Sequence, residues 1–166
     1  MKTFWNYKNE YKHLRKNILK SIDRVLNSGQ IFFGNELNKF ENNFNKLNKS
    51  RYGLAVGSGT EALYIALKSF GIGYGDEVIT VSNTAIPTAS AITSTGAKIK
   101  FVDISLETLN YDLDQLGSAI SKNTRVILAV NLLGNPNDFD CINKIIKEKN
   151  IILLEDNCES MGATFN

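Results

Sequence analysis

Two acidic residues, Glu155 and Asp156, directly follow the apolar run of residues 151–154 near the end of the chain. Four consecutive apolar residues indicate a buried strand, so the two carboxylates stand where that strand ends. A carboxylate at the mouth of a buried sheet costs desolvation energy unless a positive or hydrogen-bonding group meets it. The Asp156 carboxylate could therefore be solvated, cap the following turn, or face a metal ion or a protonated ring nitrogen.

A second candidate site is the sequence Val-Gly-Ser-Gly-Thr at residues 56–60, which precedes a helical pattern. Glycines let a ligand approach the backbone closely, and the first turn of a helix offers free N–H groups at the positive end of its dipole. The Ser58 and Thr60 hydroxyls add donors for an anion. The segment also fits a simple strand-to-helix turn with Thr60 as N-cap, and the residues alone leave both interpretations open. It is neither a P-loop nor a GxGxxG dinucleotide motif.

Composition disfavours several other classes of protein. The single histidine, His13, falls in a helical pattern near the N-terminus, so a metal site and a Ser-His-Asp triad are both poorly supported. Cys141 and Cys158 are far apart without CxxC spacing, which is typical of reduced thiols. The net charge of +2 argues against nucleic acid or an acidic membrane surface as a partner, and no apolar run is long enough to span a bilayer. We expect a cytoplasmic protein without a metal.

Hydrophobic spacing predicts the elements that would position these groups. Apolar residues three or four apart predict helices over residues 7–28, 35–47, 60–70, 84–95, 113–120 and 138–149. Short apolar runs predict strands over residues 53–56, 77–81, 99–102, 126–130 and 151–154. Ser28-Gly29 ends the first helix, and Pro87 is tolerated only in the first turn of its helix.

The alternation of strands and helices predicts an α/β fold with a mostly parallel sheet and helices on both faces. Ligands in such sheets bind at the carboxyl ends of the strands. The polar segments 57–60, 82–84, 131–135 and 155–156 all follow predicted strands and would share one rim. A phosphate on the helix start and a ring nitrogen on Asp156 would suit pyridoxal 5'-phosphate (PLP). Other phosphorylated ligands fit the same groups.

Six segments, in this order and at this spacing, resemble the DegT/DnrJ/StrS aminotransferases, PLP-dependent enzymes that aminate nucleotide-linked keto-sugars. They are RVLNSGQIFFGNELNKFENNF, GSGTEALYIALKSFGIGYGDEVIT, SNTAIPTASAI, GAKIKFVDISLETLNYDLDQLGSAI, VILAVNLLGNPNDFDCI and LLEDNCESMGA. The resemblance covers nearly the whole chain. It implies the large domain of a fold type I PLP enzyme, glutamate as the amino donor, and a homodimer with active sites at the subunit interface.

The resemblance also assigns residues to the cofactor. Ser58, Gly59 and Thr60 match the segment that cradles the phosphate. Asp156 matches the residue that pairs with the pyridine nitrogen, and Glu159 matches a position near the phenolic oxygen.

Two positions depart from the family pattern. Ala85 stands where many members place an aromatic ring over the cofactor, so stacking would be weaker or come from another residue such as Ile86 or Pro87. Asn131 stands where many members carry histidine, in the segment that lines the substrate side of the site.

The resemblance further implies a longer enzyme, because full members have a second, smaller domain. Their Schiff-base lysine lies downstream of the segment that ends this chain, and none of the lysines at 68, 98, 100 and 122 matches its position. We expect an N-terminal helical segment over residues 1–34, an incomplete PLP-binding domain over 35–166, no C-terminal small domain, and no catalytic turnover by the chain alone.

Three explanations of such a chain stay open. It could work with a separately encoded C-terminal half, or represent an interrupted reading frame. It could also be a non-catalytic protein that binds PLP or a nucleotide sugar, or that pairs with a full-length relative.

Overall fold

The computed structural model describes residues 6–165 of the chain. They form two compact units, one ending at Ala55 and the other beginning at Val56. Residues 1–5 of the predicted N-terminal helical segment lie outside the described residues. No helix among residues 6–165 is both long and apolar enough to cross a membrane.

The first unit holds two helices, α1 (Tyr7–Ser28) and α2 (Asn35–Asn48). The Asn6 side chain caps the start of α1 by accepting a hydrogen bond from the backbone N–H of Asn9 at 3.3 Å. Gly29 ends α1 in the left-handed conformation with φ of 69°, as the Ser28-Gly29 pair predicts. An ion pair of 2.9 Å between Arg24 and Glu36 joins the two helices.

The second unit is a four-stranded sheet with helices between the strands, which confirms the predicted α/β fold. Its elements are α3 (Gly59–Ser69), β1 (Glu77–Val81), α4 (Ile86–Ser94), β2 (Lys98–Val102), α5 (Leu113–Ala119), β3 (Thr124–Val130), α6 (Phe139–Ile146) and β4 (Ile152–Asp156). A short 3-10 helix, Leu132–Gly134, follows β3. All strand pairs are parallel, in the order β2-β1-β3-β4.

This strand order determines which face each helix covers. The connection from β1 to β2 crosses the sheet in one direction, and the two later connections cross in the other. Because parallel crossovers are right-handed, α4 covers one face while α5 and α6 cover the other. In agreement, α3 packs with α4, and α5 packs with α6. The direction reverses between β1 and β3, where such folds open a crevice at the carboxyl ends of the strands.

The core of this unit lies on the two central strands. Every residue of β1 is buried, and every residue of β3 except Arg125 is buried. Leu67 of α3 and Ile92 of α4 are fully buried on the helical cover, as are Leu116 of α5 and Ile142 of α6. The burial of both central strands shows that helices cover the sheet on both faces, as the apolar runs in the sequence predict.

One predicted strand is wrong. Residues 53–56 form no strand, and neither edge of the sheet includes them. A strand needs a neighbour for its backbone groups, and no strand within residues 6–165 provides one for this segment. The backbone N–H of Ala55 instead donates to the Glu41 carboxylate at 2.9 Å.

Several predicted bounds also differ. The helix predicted over 84–95 begins at Ile86, which puts Pro87 in its first turn as required. The helix predicted over 138–149 ends at Ile146, because Lys147 is extended (ψ 135°) and Glu148 has φ of 64°. The last strand includes Glu155 and Asp156, which therefore belong to its final residues.

Candidate functional site

Three of the four predicted polar segments meet at the carboxyl end of the sheet. Residues 82–84 follow β1, Asn131 follows β3, and Asp156 is the last residue of β4. The backbone N–H of Asn131 donates to the Asp156 carbonyl at 3.1 Å, so the strand ends are in direct contact. We call this edge the rim. It lies entirely in the unit that begins at Val56.

A buried tyrosine stands between the two central strands just below the rim. The register of β1 on β3 runs from Glu77 to Ile79. Where this register ends, toward the carboxyl end of the strands, the Tyr111 hydroxyl lies 3.1 Å from the Ile79 carbonyl oxygen and 2.8 Å from the Leu128 carbonyl oxygen. Thr80 Oγ1 also donates to Leu128 O, at 3.0 Å. Burial raises the pKa of Tyr111 far above its ordinary value, so this phenol stays a neutral donor. Where the backbone hydrogen bonds between β1 and β3 end, these side-chain hydroxyls thus contact the strand carbonyls instead. The crevice opens at the same point.

The fourth polar segment forms the start of α3. Ser58 is the N-cap, and its Oγ accepts from the Glu61 N–H at 3.1 Å, so the interpretation of Thr60 as N-cap is wrong. The Glu61 carboxylate reaches back to the Gly57 N–H at 2.9 Å, which gives a reciprocal cap. The N–H groups of Gly59 and Thr60 have no hydrogen-bond partner among the residues that the structure describes. They are the free donors that an anion at a helix start would use.

Close packing brings the start of α3 to the rim. A Cβ atom at Gly59 would lie 2.9 Å from the Cys158 Sγ atom, closer than such atoms normally approach. Any side chain at position 59 would therefore push against the Cys158 thiol, in the turn that follows Asp156. The glycine allows the free N–H groups and the carboxylate to occupy one site.

Asp156 is only 7% exposed, and its carboxylate accepts hydrogen bonds from a backbone N–H and a hydroxyl, with the Cys158 thiol as a further partner. Its Oδ1 accepts from the Cys158 N–H at 3.2 Å, so it does cap the following turn. Its Oδ2 accepts from Thr88 Oγ1 at 3.0 Å. A carboxylate can accept about four hydrogen bonds, so acceptor positions remain for a further donor.

The hydroxyl groups behind Asp156 were not predicted from the sequence. Thr88 is 1% exposed, and its Oγ1 lies 2.8 Å from that of Thr84. A signal was present, since the helix predicted over 84–95 would place residues four apart on one face. Apolar periodicity does not register such a pair, because threonine counts as neither apolar nor charged.

The pKa of the Cys158 thiol depends on the neighbouring Asp156 carboxylate. A hydrogen bond between this thiol and the Asp156 carboxylate, together with partial burial, raises the pKa of Cys158 to about 11. The thiol is therefore neutral near pH 7 and is a poor nucleophile there.

Asn131 is a buried hub, 3% exposed. Its Nδ2 donates to Glu155 Oε2 at 3.3 Å and to Asn157, while its Oδ1 accepts from the N–H and the side-chain amide of Asn137, each at 2.9 Å. The Ser160 hydroxyl donates to its carbonyl. All side-chain hydrogen-bonding groups of Asn131 are thus engaged within the protein, and a substrate contact would compete with one of these bonds.

Two other candidate residues have fewer contacts. Glu159 is exposed, and its Oε2 accepts from the Leu133 N–H at 3.2 Å, which ties it to the 3-10 helix after β3. Ala85 is the exposed N-cap residue of α4 and makes no side-chain cap. Ile86, the next residue, is 81% exposed.

The lysines at positions 68, 98 and 122 lie away from the rim. Lys68 is in the last turn of α3, Lys98 opens β2, and Lys122 lies just before β3, so the last two stand at the amino end of the sheet. Within residues 6–165 no group of three or more His, Cys, Asp or Glu side chains could hold a metal ion. Two N–H donors and a carboxylate acceptor converge on the rim, and they fit a ligand with an anion at one end and a protonated nitrogen at the other.

Comparison with known proteins finds a family model that matches residues 12–166, described as the DegT/DnrJ/EryC1/StrS aminotransferase family. The GDP-4-keto-6-deoxy-D-mannose 3-dehydratase of Escherichia coli O55:H7 is 46% identical over 153 residues, covering 89% of this chain and 39% of that protein. The dTDP-3-amino-3,4,6-trideoxy-alpha-D-glucose transaminase of Micromonospora megalomicea is 35% identical, covering 96% of this chain and 42% of that protein.

Solved structures give the same result. The crystal structure of S. venezuelae DesV has a TM-score of 0.93 at 34% identity, covering 96% of this chain and 43% of that one. The E. coli GDP-4-keto-6-deoxy-D-mannose-3-dehydratase with bound hydrated PLP has a TM-score of 0.84 at 39% identity, covering 99% and 42%. The chain thus spans about two fifths of the length of these relatives.

Proposed function

The chain belongs to the DegT/DnrJ/EryC1/StrS aminotransferase family, and from this premise we propose that it is the PLP-binding portion of an enzyme acting on a nucleotide-linked keto-sugar. The proposal rests on the arrangement of hydrogen-bonding groups at the rim. There a buried carboxylate with unfilled acceptor positions lies beside a helix start with two free N–H groups. PLP offers a phosphate, which the N–H donors would bind, and a protonated ring nitrogen, which the carboxylate would accept a hydrogen bond from.

The start of α3 would bind the phosphate. The N–H groups of Gly59 and Thr60 would donate to phosphate oxygens at the positive end of the helix dipole. Ser58 Oγ accepts from Glu61, which leaves the hydroxyl proton free to donate as well. The close approach of Gly59 to Cys158 sets the distance between this cradle and Asp156.

Asp156 would hold a proton on the ring nitrogen, because a charged acceptor favours the protonated form of a nitrogen that faces it. PLP, when bound with its ring protonated, supplies an electron sink for charge that develops on the substrate. Burial of Asp156 strengthens this pairing, since water competes little for the carboxylate.

The other candidate residues receive lesser roles. Glu159 would lie near the phenolic oxygen of PLP, and Asn131 would shape the substrate side of the site through its partners. Ala85 would leave one face of the ring without an aromatic side chain, with the exposed Ile86 as the nearest apolar group in the chain. Residues 35–166 are the proposed PLP-binding domain, and the compact unit that begins at Val56 lies within it.

Transamination is the first candidate reaction, with glutamate as donor and a nucleotide-linked keto-sugar as acceptor. Removal of a hydroxyl from such a sugar is the second. The observation that favours the second is that the dehydratase of E. coli O55:H7 is 46% identical to the chain, against 35% for the transaminase of M. megalomicea. We also propose that the Schiff-base lysine of the family is not among these residues, and that these residues alone do not turn over. A homodimer or a separately encoded C-terminal half is the proposed partner.

Binding is tested first with pyridoxamine 5'-phosphate (PMP), which lacks the aldehyde that would react with surface lysines. Calorimetric titration of the chain should give saturable binding, and pyridoxamine, which lacks the phosphate, should bind at least about tenfold more weakly. Absence of saturable PMP binding, or equal binding of both compounds, would contradict the proposed site.

The reaction is tested separately with PLP, glutamate and GDP-4-keto-6-deoxymannose. The expected result is no product from the chain alone. An amino sugar formed by the chain would support transamination and refute the expected inactivity, and a 3-deoxy sugar would do the same for dehydration.

A further inference from the structure

The two threonines behind Asp156 form a chain of hydrogen bonds that ends on the carboxylate. Thr88 Oγ1 lies 3.0 Å from Asp156 Oδ2 and 2.8 Å from Thr84 Oγ1. A carboxylate cannot donate, so the Thr88 proton points to Asp156. A hydroxyl has a single proton, so Thr84 must donate to Thr88. The pair is thus a directed relay in which each bond strengthens the next.

This relay fixes the orientation of the carboxylate. The terminal torsion of an aspartate is soft and would let the group rotate. Here Thr88 of α4 holds one oxygen, and the Cys158 N–H in the turn after β4 holds the other. Two donors from different elements, one on each oxygen, restrict that rotation before any ligand binds.

We propose that Thr88, supported by Thr84, is a positioning residue that keeps the Asp156 carboxylate aimed at the ring nitrogen of a bound pyridoxal-type cofactor. The inference rests on the proposed function, because it assigns a task to the same site. Thr88 touches neither cofactor nor substrate in this account and acts only through Asp156.

The alternative is that Thr88 is only a packing residue. It is 1% exposed and could simply fill space between α4 and the sheet. The two roles separate chemically, because a packing residue would affect every ligand of the site equally. A residue that acts through Asp156 would affect only ligands with a ring nitrogen.

The experiment therefore uses two ligands and three variants of the full chain. The ligands are PMP and its 1-deaza analogue, in which carbon replaces the ring nitrogen. Thr88→Val keeps the shape of the side chain and removes the hydroxyl, while Thr88→Ser keeps the hydroxyl. Thr95→Val is the matched control, because this buried threonine at the other end of α4 bonds only to nearby backbone groups. Far-UV circular dichroism verifies that each variant is folded.

Thr88→Val should weaken PMP binding about tenfold, while Thr88→Ser and Thr95→Val should change it less than about threefold. The 1-deaza analogue should bind wild-type chain and Thr88→Val within about twofold of each other. Equal losses for both ligands, no loss for PMP, or a Thr88→Ser loss as large as that of Thr88→Val would overturn the inference. Wild-type chain that binds neither ligand would instead overturn the proposed function itself.

Discussion

The sheet has a buried carboxylate at each end, and the two ends differ in what surrounds it. Glu77 at the amino end and Asp156 at the carboxyl end are both 7% exposed. The Glu77 Oε1 atom accepts from the Ser121 and Thr124 hydroxyls, at 2.9 and 2.8 Å. Ser121 lies in the turn before β3, and Thr124 is the first residue of that strand. The donors of Asp156 come instead from a helix and from a separate turn.

The comparison shows that burial of a carboxylate does not by itself identify a ligand site. The Glu77 arrangement ties the start of β1 to the turn that opens β3, which is a structural task. The Asp156 arrangement lies beside unpartnered N–H groups on the neighbouring helix α3. What distinguishes the rim is therefore the presence of free donors next to a constrained acceptor, at the end of the sheet where the crevice opens.

The largest expected effect concerns stability at the amino end. Thr124→Val removes a donor to the buried Glu77 carboxylate, and hydrogen bonds to charged groups are worth about 2 kcal/mol. We expect the free energy of unfolding in urea to fall by about that amount, with PMP affinity unchanged. Thr93→Val, on the exposed side of α4, is the control and should change stability by less than about 0.5 kcal/mol. A change in PMP affinity for Thr124→Val would remove the distinction between the two ends.

The next effect concerns the thiol at the rim. A hydrogen bond to the Asp156 carboxylate, partial burial and the charge of that carboxylate raise the pKa of Cys158 to about 11. Asp156→Asn removes the carboxylate, so the thiolate fraction at pH 8 should increase. Alkylation of Cys158 by iodoacetamide should become about tenfold faster, measured by mass spectrometry in a Cys141→Ser background. Glu77→Gln should leave the rate unchanged. An unaltered alkylation rate in Asp156→Asn would mean that the Asp156 carboxylate does not affect the pKa of the thiol.

A smaller effect is expected from crowding the helix start. Gly59→Ala should weaken PMP binding about fivefold, because the new Cβ meets Cys158 Sγ and displaces the free N–H groups. The double variant Gly59→Ala/Cys158→Ala removes the clash and should recover most of the affinity. Failure of that rescue would show that the close approach does not shape the cradle.

The smallest effect separates stability from binding. A Cβ atom at Gly117, on the exposed side of α5, would meet nothing within 4 Å. Gly117→Ala should therefore raise the free energy of unfolding by about 0.7 kcal/mol through helix propensity alone. PMP affinity should not change. A change in affinity would indicate that binding follows global stability rather than the local geometry of the rim.

Much of this fold could be predicted because its signals are local. Short, mostly apolar runs identify β1 and β3, and the Ser28-Gly29 pair identifies the end of α1, since these features depend on residues close in sequence. The convergence of residues 82–84, Asn131 and Asp156 also follows from the sequence, because parallel strands place their carboxyl ends at one edge.

The remainder depends on partners that are distant in sequence. Residues 53–56 have the composition of a strand, but a strand exists only when a neighbour accepts its hydrogen bonds. The bond from Thr88 to Asp156 joins residues 68 positions apart, and the packing of Gly59 on Cys158 is equally nonlocal. The cofactor roles of Ser58, Gly59, Thr60, Ala85, Glu159 and Asn131 stay predictions until ligand binding is measured.

The central claim is that the carboxylate at the rim, and not the one at the opposite end, binds the ring nitrogen of a pyridoxal-type cofactor. Calorimetric titration of PMP into the wild-type chain, Asp156→Asn and Glu77→Gln tests it directly. We predict that Asp156→Asn weakens binding about thirtyfold, as expected for loss of a charge-assisted hydrogen bond, and that Glu77→Gln changes it less than about twofold. Equal affinities in all three proteins, or equal losses in both variants, would contradict the account.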